Sequence, residues 1–118
     1  MSTNVARTSD GWWVVGGEAA TPVATSATST AELLADRDAV AAAAASSKGA
    51  VPVADLQLLS PVTTPARVVA QMVNYRSHAH DSGFDPDSVP PTFFRKASTS
   101  VTGPTGDILR PDHVRFID

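Results

Sequence analysis

The segment Ser60-Pro61-Val62-Thr63-Thr64-Pro65 constrains the fold of this chain more than any other. Pro61 and Pro65 each fix φ and remove a backbone donor, so neither a helix nor a central strand can run through the segment. It reads as a rigid connector, and a module boundary is expected near residue 62. At 118 residues the chain can bury the core of one domain, whereas two full domains would be crowded. Residues 1–62 are therefore expected to form a small N-terminal module and residues 63–118 to begin a second one.

The packing resources are modest. Apolar residues make up 42% of the chain, but alanine is the commonest of them and buries little area. With 12 acidic and 9 basic side chains the net charge is −3. No basic block with interleaved aromatics offers a footprint for a phosphate backbone, which argues against a nucleic-acid partner. Cysteine is absent, so disulfides, thiolate zinc sites and thiol catalysis are excluded. The first residues, Met1-Ser2-Thr3-Asn4-Val5-Ala6-Arg7, lack a basic stretch leading into an apolar core, and no apolar run approaches the ~20 residues of a membrane span. The expectation is a soluble, cytoplasmic protein with no membrane partner.

Residues 1–10 are polar and read as frayed. Trp12-Trp13-Val14-Val15 suits a strand ending at Gly16-Gly17, and a second short strand is expected over residues 21–24. Ser29 stands three residues before Glu32, the spacing of a capping box, and a helix is expected from about residue 30 to 46 with Gly49 as its stop. Leu33, Val40, Ala41 and Ala44 can share its inner face, with Glu32, Asp36 and Asp38 outside. Residues 51–59 read as a strand. Beyond the connector, Arg67-Val68-Val69-Ala70-Gln71-Met72-Val73 is the best strand pattern, residues 74–82 suit one or two helical turns before Gly83, residues 85–91 form a Pro-rich loop, and Thr92-Phe93-Phe94-Arg95-Lys96 is extended again. Gly103-Pro104 and Gly106-Asp107 mark turns. Val114-Arg115-Phe116-Ile117-Asp118 reads as the start of a strand. The expected class is α+β and β-rich, with a strand-helix-strand N-terminal module.

Asn74-Tyr75-Arg76-Ser77-His78-Ala79-His80-Asp81 is the segment richest in possible chemistry. On a helix His78 and Asp81 lie about 60° apart and can hydrogen-bond, while His78 and His80 point in roughly opposite directions. A carboxylate on one ring nitrogen fixes the tautomer and raises the basicity of the other, the arrangement of a general base. A solvated helix end carrying a surface histidine satisfies the same spacing. A metal site of His78, His80 and Asp81 is harder to build, because the two imidazoles face apart. Lys96, after Phe93-Phe94-Arg95, can bring a cation to an anionic substrate or be an ordinary surface lysine. Ser98, Thr99 and Ser100 offer hydroxyls for a carboxylate or for capping a turn, and Trp12 and Trp13 read as core.

Taken together, Ser60-Pro61-Val62, Asn74-Tyr75-Arg76-Ser77-His78-Ala79, Pro90-Pro91-Thr92-Phe93-Phe94-Arg95-Lys96-Ala97-Ser98 and the stretch from Gly103-Pro104 to Arg115-Phe116-Ile117-Asp118 closely resemble the fumarylacetoacetate hydrolase superfamily in order and spacing. The similarity covers residues 58–118, and residues 12–58 look like the small N-terminal module of many bacterial members. The resemblance implies the beginning of a mixed β-roll and a Mg2+- or Mn2+-dependent enzyme acting on 2-oxo or 2,4-dioxo acids. Its reaction would be C–C bond hydrolysis, decarboxylation or isomerisation in aromatic-compound catabolism, carried out by a homodimer. By that resemblance His78 activates water, Asp81 orients the His78 imidazole, Lys96 faces the substrate's charged end, and Tyr75, Arg76 and Ser98 contact substrate, with residues 75–91 as a lid.

The chain departs from the family pattern in three places: Asp81 replaces the usual Glu, Gln71-Met72-Val73 replaces a Gly-containing run, and Arg95 precedes the lysine. The family's metal-binding carboxylates follow in a Tyr-Glu-x-Glu-like strand and a later Asp, beyond residue 118. No metal ligand is therefore assigned within this chain. The expectation is an N-terminal portion that stops before the metal site and is inactive alone. The alternatives are a non-catalytic binding or interaction module derived from the same family and, less readily built, a stand-alone metal hydrolase using His78 and His80.

Overall fold

A computed structural model describes residues 2–88 and 90–115. The chain is a small mixed α+β protein with a four-stranded antiparallel sheet and few helices. It divides into two compact units, one formed by the residues up to Thr63 with the segment from Thr102, the other by Thr64–Val101.

In the first unit, β1 (Asn4–Thr8), β2 (Gly11–Gly16), β3 (Ala19–Pro22) and β4 (Val51–Pro52) pair in sequence order, with α1 (Thr30–Ala35) and α2 (Arg37–Ala44) between β3 and β4. Residues 4–8 are thus a strand rather than a frayed end. Their polar composition hides an alternation in which Ala6 and Thr8 are buried. The Thr8 hydroxyl accepts the Trp13 indole N–H at 3.0 Å, so a buried polar side chain is satisfied on the sheet face opposite Trp12 and Val14. The β2–β3 turn places Gly17 at φ 64°, a conformation that favours glycine and matches the right-handed twist of a two-residue hairpin. β3 begins two residues earlier than the sequence pattern predicts, and its Ala20 is fully buried.

The core gathers Trp12, Val14, Val23, Leu33 and Ala43 between one sheet face and the helices. Alternation along β2 sends Trp12 and Val14 inward, and the Trp12 indole donates to the Ala27 carbonyl at 2.9 Å. Among the described residues Leu33 is the largest fully buried side chain.

The single helix expected over residues 30–46 is broken at Asp36. Its backbone leaves helical geometry (φ −87°, ψ 60°), and its N–H closes α1 onto the carbonyls of Glu32 and Leu33. Its side chain then caps α2, Oδ1 accepting from the Ala39 N–H at 3.4 Å, while Oδ2 accepts the Thr25 hydroxyl at 2.6 Å. Aspartate gains more from capping than from a helix interior, and the Thr25 contact is a tertiary one that helical periodicity does not encode. At the start of α1 the capping box forms as expected between Ser29 and Glu32. The strand expected over residues 51–59 contracts to β4, followed by a 3-10 turn (Val53–Asp55) and a single bridge between Leu59 and Arg7. Pro52 has no N–H with which to extend a ladder.

In the second unit, β5 (Val68–Gln71) and β6 (Phe93–Lys96) pair antiparallel, and α3 (Arg76–Asp81) lies in the connection between them. A 3-10 turn (Ser98–Ser100) follows β6. Among the described residues, no helix is long and apolar enough to cross a membrane. The strand expected to begin at Val114 falls mainly on residues 116–118, outside the described residues; Val114 and Arg115 belong to no regular element.

Candidate active site

The ladder register is Val68 opposite Lys96, Val69 opposite Arg95, Ala70 opposite Phe94 and Gln71 opposite Phe93. It continues past the last pair through Asn74. The Asn74 carboxamide donates from Nδ2 to the Thr92 carbonyl at 2.8 Å and accepts the Thr92 N–H on Oδ1 at 2.7 Å. The Met72 N–H donates to the same Thr92 carbonyl at 3.1 Å. An amide side chain carries a donor and an acceptor side by side, so it can complete both backbone bonds of one residue, as a neighbouring strand would. Asn74 thereby fastens the segment leading into α3 to the segment leading into β6.

Helix α3 starts immediately afterwards and ends in a Schellman motif. The Gly83 N–H donates to the His80 carbonyl, and the Phe84 N–H to the Ala79 carbonyl at 2.8 Å. Gly83 has φ 78°, as the motif requires. With both ends fixed, the helix turns Ala79 inward, almost fully buried, and leaves His78, His80 and Asp81 exposed. At about 100° per residue His78 and Asp81 share an outer face and His80 lies on the opposite flank. Among the described residues no hydrogen bond or ion pair joins His78 to Asp81. Both side chains are exposed.

Arg76, the first residue of α3, makes a forked ion pair with Asp87: Nη1 to Oδ1 at 2.7 Å and Nη2 to Oδ2 at 3.0 Å. Tyr75 lies at the helix N-cap, largely exposed, and with Val73, Asn74, Ala79, Pro86 and Pro91 lines a cavity of about 250 Å3. Lys96 is exposed and carries its ammonium 5.2 Å from the centre of the Phe94 ring, its neighbour on the same face of β6. The Ser98 hydroxyl oxygen accepts the Ala66 N–H at 3.0 Å, which closes the strand pair and leaves the hydroxyl proton available to another acceptor.

Tyr75, Arg76, His78 and Asp81 therefore lie on one continuous segment. Lys96 and Ser98 are positioned differently. α3 is entered from the Gln71–Phe93 end of the ladder, whereas Lys96 occupies the Val68 end, about 10 Å along the strands. Two further residues make the side-chain contacts around the segment: Asn74 through its clamp and Asp87 through its ion pair with Arg76. An Asn directly after a strand is a local signal for side-chain to backbone bonding. The Arg76–Asp87 pairing has no such signal, because no regular element relates the two positions. Among the described residues no group of three or more His, Cys, Asp or Glu side chains could hold a metal ion. No family model matches the chain, and no curated protein or solved structure matches it.

Proposed function

We propose that this chain carries the water-activating part of an enzyme of the fumarylacetoacetate hydrolase type, acting on 2-oxo or 2,4-dioxo acids by C–C bond hydrolysis, decarboxylation or isomerisation. In that reading β5 and β6 open a mixed β-roll, and the whole protein works as a cytoplasmic homodimer. One observation carries the proposal. Two of the motifs that bear the resemblance, the segment beginning at Asn74 and the segment from Thr92 to Ser98, are bound to each other by both bonds of the Asn74 side chain, next to the ladder that pairs residues 68–71 with residues 93–96.

The chemistry follows from the residues present. His78 takes a proton from water on one ring nitrogen while Asp81 accepts the N–H of the other, holding the tautomer and stabilising the imidazolium that forms. The exposed outer face of α3 leaves both groups free to meet substrate and each other. Arg76 offers a fork matched to a carboxylate, and Lys96 a point charge for a second anionic group. Tyr75 and Ser98 contribute hydroxyls that both donate and accept. The Mg2+ or Mn2+ implied by the resemblance would polarise the keto oxygen when bound, but the described residues do not supply its ligand set.

That missing ligand set also favours a second reading, a non-catalytic binding module derived from the same family. One experiment separates them. The gene product containing these 118 residues is assayed with Mn2+ against an acylpyruvate, oxaloacetate and a hydroxymuconate derivative. Turnover of one of them identifies the reaction class. Loss of all three activities in a folded protein rules out the enzyme and leaves the binding module.

A further inference from the structure

The Arg76–Asp87 pair has the geometry by which a guanidinium recognises a carboxylate, two parallel N–H···O bonds at 2.7 and 3.0 Å. The two side chains are 73% and 69% exposed. Exposed pairs of this kind are held closed only about 1.4- to 5-fold over open, so an external carboxylate can replace the internal one at little cost. The loop that presents Asp87 does not depend on its carboxylate. The Asp87 backbone N–H donates to Asp85 Oδ1 at 3.0 Å, and the Ser88 N–H and hydroxyl both donate to the Asp85 carbonyl at 3.1 Å. Arg76 is fixed independently of that loop, on a helix held by the Asn74 clamp and the Gly83 cap.

We infer that Asp87 is an intramolecular occupant of a carboxylate-binding site centred on Arg76. The carboxylate of an incoming oxo acid takes over the guanidinium fork and releases Asp87, and the affinity measured for any such ligand is lowered by the fraction of molecules in which Asp87 already fills the site. The inference rests on the assignment of Arg76 to the substrate under the proposed function. It adds a specificity device. Ligands that present two coplanar oxygens displace Asp87, whereas a monatomic anion replaces only one of its two bonds.

Oxalate titrated into the 118-residue chain at constant ionic strength tests this, with binding read by NMR from the Arg76 side-chain Nε–H and the Asp87 amide. Asp87→Asn keeps the backbone bonds of the loop and removes the competitor, so oxalate affinity rises about two- to sixfold. Asp107→Asn, an equal change in net charge, leaves it unchanged. Arg76→Gln abolishes binding. If Arg76→Gln loses binding but Asp87→Asn binds no tighter than Asp107→Asn, the internal competition is refuted and the assignment of Arg76 survives. If Arg76→Gln binds as the parent does, or if neither the parent nor Asp87→Asn binds oxalate at tens of millimolar, the assignment of Arg76 and the inference fall together.

Discussion

Replacing Asn74 by alanine removes the two bonds that hold the segment leading into α3 against Thr92, at 2.8 and 2.7 Å. Each such bond contributes about 1 kcal/mol net. The Met72 N–H still satisfies the Thr92 carbonyl, so what is newly stranded is the Thr92 N–H, and its half-buried position lets water recover part of that loss. The expected cost is about 1–2 kcal/mol, confined to the Thr64–Val101 unit. Hydrogen exchange at the Thr92 amide reads it directly: protection should fall about 5- to 30-fold, while the Trp12 and Leu33 amides of the other unit keep theirs. Asn74→Asp is a sharper variant, since it keeps the acceptor for the Thr92 N–H but sets a carboxylate oxygen against the Thr92 carbonyl; it should cost at least as much as alanine. Unchanged Thr92 protection in Asn74→Ala would refute the idea that this side chain organises the site.

Leu33→Ala empties a fully buried position in the core of the first unit and should cost about 2–5 kcal/mol, measured by urea unfolding followed through tryptophan fluorescence, whereas Leu34→Ala, 64% exposed, should stay within about 0.5 kcal/mol of the parent. Glu32 has its carboxyl held below the ordinary value of 4.5, first by the Thr28 backbone N–H, then by the Thr28 hydroxyl and the Ser29 N–H. A depressed folded-state value means that its contribution is present above pH 4.5 and disappears as pH falls through the lower folded value, so the stability gap between the parent and Glu32→Gln should narrow in that acidic window. A gap that does not change with pH would contradict the capping-box role.

Some of this was legible in the sequence because local rules governed it. The Ser29–Glu32 cap, β2 and the turn of helix before Gly83 each follow from residue type and spacing within a few positions. β1 was hidden because its buried residues are alanine and threonine, and the threonine hydroxyl is satisfied by groups of the adjoining turn and strand, the Trp13 indole among them. Asp36 breaks the helix because Thr25, distant in sequence, rewards the capping conformation. In the candidate site the sequence singled out the side chains with reactive groups, His78, Asp81 and Lys96, but not the Asn74 clamp or the partner of Arg76. Asn74 and Asp87 act through partners 18 and 11 positions away, and no helical or strand period connects them.

The central claim is that His78 is a base acting on water, and its most direct measurement is kcat/KM of the gene product containing these residues, with Mn2+ and the acylpyruvate, for the parent and for His78→Ala. The expected result is a fall of about 10²- to 10⁴-fold with folding unchanged by circular dichroism. A variant that keeps activity within about threefold of the parent, at equal folding, would contradict the assignment, since removal of a general base cannot be that mild.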